Sequence, residues 1–320
     1  MNGETNRRWK LARRPNGKIR ESDFIREEFK GANMAIAVVT GSSTGIGMAT
    51  AATLARAGHT VYATMRNPKT GGEELRAIAE REHLPLRNAA LDVDSDESVR
   101  NAFTNILGEA GRIDVLVNNA GISGVGPVEE NPIAAFRATM ETNYFGALRC
   151  IQAVLPGMRE RRSGCIVNVT SVTGRLSVAP QAAYSGSKFA LEAASESVAQ
   201  EVKAFGVRVA IVEPGVIATA IFDKLQPPPA DSKYPHGRRI YEFFKTSLEN
   251  PVSPYVVGEK IREIVDSGTW KLRHPVGPDA EGFLAWRASM SDEQWVEWGA
   301  LSDEQWVEYV RQNFHLNVRL

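Results

Sequence analysis

Cysteine, net charge and long apolar runs are all scarce in this sequence. Its 320 residues contain two cysteines, and 38 Lys and Arg balance 38 Asp and Glu. So few cysteines exclude a disulfide scaffold or a cysteine metal cluster, and we expect Cys150 and Cys165 to be packed, reduced thiols of a cytoplasmic protein. Zero net charge argues against nucleic acid as a partner. No apolar run approaches the ~18 residues of a membrane span. The expected partner is a small molecule.

Apolar strands alternate with amphipathic helical segments along most of the chain. Short runs such as "MAIAVVT", "TVYATM" and "GCIVNVTS" are separated by longer stretches with helical spacing. This order predicts an α/β fold, with a parallel sheet covered by helices on both faces. Ligands of such folds bind outside the carboxyl ends of the strands, where we expect the site.

The pattern loses its regularity towards both ends of the chain. Prolines and polar residues in "QPPPADSKYPHGRR" predict an irregular surface excursion at residues 216–252, which would be a substrate lid. We divide the chain into an N-terminal extension at 1–33, expected to be disordered or appended, a main domain at 34–278, and a tryptophan-rich helical tail at 279–320.

The tail contains an internal repeat. The segment "SDEQWVE" begins at Ser291 and again at Ser302. Each copy has the form of a capping box, with Gln294 or Gln305 three residues after the serine, and predicts the start of a short helix. We expect the tail tryptophans to be packing anchors rather than substrate contacts, because buried aromatic side chains usually stabilise a core or an interface.

A glycine-rich turn follows the first strand of the main domain. The turn "TGSSTGIG" places Gly41, Gly45 and Gly47 between a strand and the start of a helix. Glycines allow the backbone to approach a pyrophosphate, whose charge is favoured by the amides and dipole at a helix N-terminus. The turn predicts nucleotide binding, although its glycine spacing differs from the usual GxGxxG.

A tyrosine and a lysine are four residues apart in "AAYSGSKFAL". In a helix, Tyr184 and Lys188 would share one face, and the ammonium would favour ionisation of the phenol. Such a pair could exchange protons near neutral pH, but the spacing alone also fits an ordinary amphipathic helix.

Several motifs together resemble a known family. They are "TGSSTGIG", "NNAG" at 118–121, Asn143 in "ETNYFG", Ser171 in "NVTSVTG", "YSGSK" and "PGVIAT" at 214–219. In this order they resemble the short-chain dehydrogenase/reductase superfamily, in its compact-subunit branch, over about residues 34–275. "VYATMRNP" and the extended segment after "VEPG" are similar to hydroxysteroid and retinol dehydrogenases. The resemblance implies a Rossmann-like, doubly wound parallel sheet of about seven strands.

The resemblance also implies site residues. Tyr184 would be the general acid/base, Lys188 would lower its pKa and bind the nicotinamide ribose, Ser171 would polarise the substrate oxygen, and Asn143 would support a proton relay. Asp92 would contact the adenine region, although it could instead cap a turn, and Asn118 would hold the sheet and the cofactor edge. The implied cofactor-binding set is Gly41, Ser43, Gly45, Ile46, Gly47, Arg66, Asp92, Val93, Asn118, Ala120, Gly121, Tyr184, Lys188, Pro214, Gly215, Val216 and Thr219, and no metal is implied.

The end of the second strand bears on cofactor choice. An acidic residue there would bind the adenosine ribose and repel a 2′-phosphate, but this chain has Met65 and Arg66. Arg66 can pair with that phosphate, so NADP(H) is favoured, while NAD(H) stays possible if Arg66 is only a solvated turn residue.

We therefore expect an NADP(H)-dependent oxidoreductase that interconverts a secondary alcohol and a ketone or aldehyde on an apolar small molecule. The alternatives are an NAD-dependent dehydrogenase of the same family and a non-catalytic nucleotide-sensing interaction protein. A sugar-nucleotide epimerase is disfavoured by the glycine spacing. By resemblance, the protein would form a homodimer or homotetramer.

The first 33 residues carry a second, shorter resemblance. "NRRWKLARRPNGKIRESDF" is similar to the opening of the zinc-independent medium-chain NADP-dependent reductases of the alkenal and prostaglandin type. The match spans only that segment and includes no catalytic residue of that family. We expect a fusion remnant or an upstream start ahead of Met34, with an oligomer contact as the alternative.

Overall fold

The computed structural model describes residues 34–223 and 225–320 and, before them, two strands at 6–11 and 24–29. The strands are β1 (Asn6–Leu11), β2 (Phe24–Phe29), β3 (Ile36–Val39), β4 (Thr60–Met65), β5 (Leu86–Ala90), β6 (Val115–Asn118), β7 (Gly164–Val169), β8 (Val207–Pro214) and β9 (Arg273–Val276). Strands β3 to β9 form one parallel sheet in the order β5-β4-β3-β6-β7-β8-β9. The expected seven-stranded parallel sheet is confirmed.

Helices follow the strands in alternation. They are α1 (Gly45–Arg56), α2 (Glu73–Glu82), α3 (Asp96–Ala110), α4 (Ile133–Met140), α5 (Gly146–Arg161), α6 (Ala182–Lys203), α7 (His236–Ser247), α8 (Tyr255–Ser267), α9 (Ala280–Ala288), α10 (Asp292–Gly299) and α11 (Asp303–Phe314). A π-helical turn at Glu141–Phe145 joins α4 to α5. The strand order reverses between β3 and β6, which opens a crevice at the carboxyl edge of the sheet.

The period of two along each strand divides the core between the two faces of the sheet. In β7, Val167 belongs to the cluster that includes α1 and α8, whereas Ile166 belongs to the cluster of α3, α5 and α6. Successive side chains of a strand point to opposite faces, so a central strand such as β7 buries residues on both faces. Cys165 and Cys150 fall in these two different clusters, and both are buried and unpaired, as expected.

The prediction of an irregular segment at 216–252 is partly wrong. Helix α7 begins directly after Pro235 and buries Ile240 and Phe243. The prolines of this segment lie before or after the helix, and "IYEFF" has the apolar spacing of a helix. The prediction rested on the prolines and polar residues and did not use that spacing.

The tail helices α9 to α11 pack on α7 and form a third apolar cluster. Its buried members are Ile240, Phe243, Trp306, Val310 and Val318. Both predicted capping boxes are present at Ser291 and Ser302. The helical tail therefore packs with α7 beside the carboxyl edge of the sheet.

The two leading strands form a separate antiparallel pair. Residues 1–5, 12–23 and 30–33, together with Lys224, lie outside the described residues. The expectation of a disordered or appended extension at 1–33 therefore stays a prediction, as do the boundaries 34–278 and 279–320. Strand β9 and helix α9 lie on the two sides of the second boundary.

Candidate active site

The glycine turn after β3 lies against the loop that follows β6. Gly41 has a φ of +66°, and a Cβ there would be 2.7 Å from Ala120 Cα. Asn119 ties the two loops together, since its Nδ2 donates to Thr40 O at 2.9 Å and to Gly41 O at 3.1 Å. Gly41 is therefore needed for both its conformation and its close contact.

The N-terminus of α1 opens at this turn. Its N-cap residue, Thr44, makes no side-chain capping hydrogen bond, and the first turn of the helix carries no acidic residue. The first amides of a helix have no partner within it, so these donors can bind an anion. Thr219 packs beside Gly45, where a Cβ would be 3.1 Å from the threonine Cβ. The segment after β8 thus reaches across to the glycine turn.

Helix α6 presents Tyr184 and Lys188 from the same face, as the spacing predicts. The Lys188 Nζ atom is 5.6 Å from the centre of the Tyr184 ring and donates to Val169 O at 2.9 Å. Lys188 is almost fully buried. Its ammonium is therefore held between the end of β7 and the tyrosine.

Ser171 follows β7 and faces the tyrosine. Its Oγ accepts hydrogen bonds from Thr173 N at 3.2 Å and Thr173 Oγ1 at 3.0 Å, and it lies 3.5 Å from Pro214 O. The backbone of the short 3₁₀ turn at Val172–Gly174 thus fixes the hydroxyl at the sheet edge.

Asn143 lies in the π-helical turn between α4 and α5 and is buried. Its Oδ1 accepts from Ile122 N at 2.8 Å, while Nδ2 donates to Ile122 O at 3.0 Å and to Ser187 Oγ at 2.9 Å. Ser187 Oγ in turn donates to Tyr184 O at 2.7 Å. The asparagine therefore connects the loop after β6 to the helix that carries the tyrosine.

The acid–base behaviour of the pair differs from the sequence expectation. Desolvation raises the pKa of Tyr184 to about 12, although a hydrogen bond with Ser171 acts in the opposite direction. Desolvation also lowers the pKa of Lys188 to about 8, against the attraction of Glu192. Burial penalises both charged forms, so here it outweighs the expected lowering of the tyrosine pKa by the lysine.

A long cleft runs along the carboxyl edge of the sheet and contains most of the predicted residues. Those that line this long cleft are Gly41, Ser43, Gly45, Ile46, Arg66, Asp92, Val93, Ala120, Gly121, Ser171, Tyr184, Lys188, Pro214, Gly215 and Thr219. Arg66 is exposed at the end of β4 and makes no hydrogen bond or ion pair with any residue that the structure describes. Asp92 lines the cleft and also caps a turn, because its Oδ1 accepts from Asp94 N at 3.2 Å.

The remaining predicted residues lie just outside the long cleft. Gly47 is buried in α1, where a Cβ would be 2.3 Å from Gly41 O, so it permits packing. Asn118 donates from Nδ2 to Asn168 Oδ1 at 2.8 Å inside the sheet. Sequence reasoning missed Asn119, which reaches the glycine turn. In β6, Leu116 faces α5 and α6, and strand alternation puts Asn118 on the same face. This rule would have placed Asn118 away from the cleft.

An aromatic cavity opens from the long cleft at Ser171 and Tyr184, which line both. Its other wall comes from α7 and the tail, and Val216 lines this cavity rather than the cleft. The aromatic residues of that wall are Phe243, Phe244, Phe283, Trp286, Trp298, Trp306 and Phe314, and Phe222 from the segment after β8 adds to them. Sequence reasoning missed this set, because it assigned the tail tryptophans to packing alone; they pack and also line the cavity.

Polar contacts join the tail to helix α7. Arg239 on α7 is buried; its Nε donates to Asp303 Oδ1 at 2.8 Å and its Nη2 to Leu301 O at 2.7 Å. His236 Nε2 lies 2.9 Å from Gly299 O. These contacts join α7 to the start of α11 and to the turn before it. They therefore fix the two parts of the aromatic wall, α7 and the tail, relative to each other.

Comparison with known proteins identifies the family. The sequence model of a family described as short chain dehydrogenase matches residues 35–230. The chain belongs to the short-chain dehydrogenase family. This short-chain dehydrogenase is 41% identical over 249 residues to retinol dehydrogenase 8 of Bos taurus, which covers 74% of this chain and 79% of the relative. It is 36% identical over 231 residues to estradiol 17-beta-dehydrogenase 1 of Rattus norvegicus, covering 68% of this chain and 67% of that one.

A solved structure is also similar to this short-chain dehydrogenase. The crystal structure of a short-chain dehydrogenase from Streptomyces avermitilis matches with a TM-score of 0.72 at 34% identity, over 84% of this chain and 97% of the other. The resemblance stated from the motifs, including its likeness to hydroxysteroid and retinol dehydrogenases, is confirmed. The chain is therefore an oxidoreductase of this family.

The described residues include neither a metal-binding cluster nor a membrane-spanning helix. Within the described part of the chain, no group of three or more His, Cys, Asp or Glu side chains is arranged to hold a metal ion. Among the helices described above, none combines the length and the apolar character needed to cross a bilayer.

Proposed function

We propose that this short-chain dehydrogenase is an NADP(H)-dependent oxidoreductase that interconverts an alcohol and a ketone or aldehyde on an apolar small molecule. The observation that carries the proposal is the position of Ser171 and Tyr184, which line both the long cleft and the aromatic cavity. A dinucleotide in the cleft and an apolar substrate in the cavity would meet at these two hydroxyl groups.

The residues of the long cleft fit a dinucleotide. Uncapped amides at the start of α1 would bind the pyrophosphate, and Lys188 would bind the nicotinamide ribose. The segment from Pro214 to Thr219 would hold the nicotinamide end. A bound nicotinamide cofactor would supply or accept the hydride.

The proton moves through Tyr184. During reduction, the phenol donates its proton to the carbonyl oxygen while the carbonyl carbon gains a hydride, and Ser171 Oγ donates a hydrogen bond to the same oxygen. A Tyr184 pKa of about 12 keeps the phenol protonated at neutral pH, which suits reduction. Alcohol oxidation needs the deprotonated form, so its rate should increase as the pH rises above neutrality.

Arg66 supports the choice of NADP(H). Its guanidinium is exposed in the long cleft beside Met65, and no residue of the described chain pairs with it. It is therefore available for a 2′-phosphate, whereas an acidic side chain that would select the ribose hydroxyls of NAD(H) is missing at positions 65 and 66.

The aromatic cavity supports an apolar substrate. Its walls are almost entirely aliphatic and aromatic side chains around Ser171, Thr173 and Tyr184. Two relatives are named for retinol and estradiol, which are apolar alcohols. We infer a substrate of that general character, with one oxygen that reaches Tyr184.

We also infer a cytoplasmic homodimer or homotetramer. Phe145 and Phe189 are 44% and 43% exposed on neighbouring helical surfaces, which fits an interface between copies of this chain. Light scattering in solution tests this, and a monomer at micromolar concentration would contradict it.

The replacement Tyr184→Phe tests the proposed chemistry. It keeps the ring and removes the proton, so NADPH oxidation with a panel of apolar ketones and aldehydes should fall ~10²- to 10⁴-fold. NADPH binding, followed by nicotinamide fluorescence, should persist. Activity within a few-fold of the wild type would remove Tyr184 from the mechanism, and a wild type that binds NADPH but turns over nothing would favour the nucleotide-sensing alternative.

A further inference from the structure

One turn beyond Lys188 on α6 lies a buried acid, Glu192. Its side chain is 6% exposed. Thr170 Oγ1 donates to Glu192 Oε1 at 2.6 Å, and Arg273 Nε donates to Glu192 Oε2 at 3.0 Å. A carboxylate almost never lies this deep without partners, and here both oxygens are bound.

Lys188 and Glu192 together hold the end of β7. Lys188 Nζ binds Val169 O, and Glu192 binds the side chain of the next residue, Thr170. Ser171 comes immediately after these two. Helix α6, which carries Tyr184, therefore hydrogen-bonds to the two consecutive residues that precede Ser171.

The charges around this pair come from four elements. Tyr184 and Glu192 flank Lys188 on α6 itself. Facing Glu192 are Arg273 from β9 and, behind it, the buried Glu213 of β8, whose Oε1 lies 3.6 Å from both Arg273 Nε and Arg175 Nη1. Arg273 also contacts Glu196 on the next turn of α6 at 2.5 Å.

Glu192 acts on Lys188 through its charge. Burial lowers the pKa of the lysine to about 8, and the glutamate opposes that change. A lysine that loses its proton keeps two N–H donors but loses its positive charge, so it would bind a ribose hydroxyl less strongly and would no longer favour ionisation of Tyr184. The carboxylate therefore extends the pH range over which the ammonium persists.

We propose that Glu192 is a positioning residue that keeps Lys188 in its ammonium form and, through Thr170, holds Ser171 opposite Tyr184. The inference rests on the proposed function, because it assigns Glu192 to the same site. Nothing in the motif "YSGSK" includes this residue, which acts from one turn further along the helix.

Glu192→Gln tests the proposal, with Glu196→Gln as the matched control. Both remove one carboxylate that contacts Arg273 from the same helix, but only Glu192 touches Thr170 and faces Lys188. The measurement is kcat/KM for carbonyl reduction between pH 6 and 10, together with the pH dependence of NADPH affinity by fluorescence.

For Glu192→Gln, the alkaline limb of both profiles should move to lower pH by about one unit, since a nearby opposite charge shifts a pKa by roughly that amount or more. Glu196→Gln should leave the limb in place. A limb that stays in place in Glu192→Gln, or that moves equally in both variants, would overturn the proposal. The binding profile needs no turnover, so it remains informative if the proposed reaction itself fails.

Two further variants separate charge from packing. Thr170→Val removes the hydrogen bond but keeps the carboxylate, so kcat should fall without movement of the limb. Glu192→Asp keeps the charge at a greater distance and should shift the limb less than Glu192→Gln. If Glu192→Gln does not fold, an unshifted limb in Glu192→Asp, or a full shift in Thr170→Val, would overturn the proposal.

Discussion

The long cleft and the aromatic cavity share Ser171 and Tyr184 but are built in different ways. The cleft is formed by loops at the ends of parallel strands, with glycines and backbone amides at its surface. The far wall of the cavity is formed by large aromatic side chains from α7 and the tail. Backbone groups shape the cleft at the glycine turn, and side chains shape the far wall of the cavity.

Because of this difference, we expect the cleft to determine cofactor use and the cavity to determine which substrate binds. A backbone surface is hard to change by substitution, because Gly41 has a positive φ and a Cβ added there would lie 2.7 Å from Ala120 Cα. A wall of side chains on three tail helices can change shape while the sheet stays the same. Changes in the cleft should therefore alter cofactor use, and changes in the cavity should alter substrate use.

The largest separation is expected for the double replacement Met65→Asp with Arg66→Ile. It adds an acceptor for the ribose hydroxyls and removes the cation for the 2′-phosphate. A hydrogen bond to a charged group contributes ~1.5 to 3 kcal/mol, so Arg66 alone could favour NADPH by about one to two orders of magnitude. We expect the double variant to prefer NADH.

The check is kcat/KM for both cofactors at one ionic strength, because salt screens a phosphate contact. The KM of the apolar substrate should stay nearly constant. A wild type that already prefers NADH, or an unchanged ratio in the variant, would contradict the role of Arg66.

A smaller effect, confined to the substrate, is expected for Trp306→Leu. Trp306 is 5% exposed and lines the cavity. The equivalent Trp295 of the first repeat copy does not line the cavity and stacks on Trp298, which does. Burial of an apolar side chain contributes ~1.5 to 3 kcal/mol, so kcat/KM for a large apolar substrate should fall about 10- to 100-fold. Trp295→Leu is the control; equal losses in both variants would show that the tail acts only through stability.

A weaker effect still is expected for Asp303→Asn. It leaves the buried Arg239 without its charged partner, and Asp292→Asn changes the matching position of the first copy, where the acid is 88% exposed and pairs with Arg287. Both acids occupy the first turn of a helix, so loss of the helix-dipole interaction is common to the two variants. Asp303→Asn alone should speed trypsin cleavage of the tail and raise the substrate KM several-fold.

The smallest effect is expected for deletion of residues 1–33. The main sheet begins at Ile36, and β1 and β2 pair only with each other in the described structure. The thermal midpoint and the turnover should therefore stay close to those of the full chain. Insoluble or inactive truncated protein would place the extension within the fold.

Sequence patterns predicted the main sheet well because its signals are local. Strands β3, β4, β6, β7 and β8 contain short β-branched runs, and the shared face of Tyr184 and Lys188 follows directly from helix geometry. The capping boxes at Ser291 and Ser302 are equally local. These features need no knowledge of distant contacts.

The aromatic cavity could not be predicted in the same way. Trp306 and Phe243 are more than sixty residues apart in the chain, and only the packing of α11 on α7 brings them to one cavity. The pKa of Tyr184 was also beyond local reasoning, because it depends on how much the surrounding loops desolvate the phenol.

The tail repeat has a consequence for how this enzyme could diversify. Its two copies begin eleven residues apart, at Ser291 and Ser302, and start their helices with the same capping box. Trp306 of the second copy lines the cavity, whereas Trp295 of the first copy stacks on Trp298. Because Trp298 directly follows the first copy and also lines the cavity, substitutions in either of the two helices would reshape the aromatic wall, while Ser171 and Tyr184 keep their positions on the sheet side.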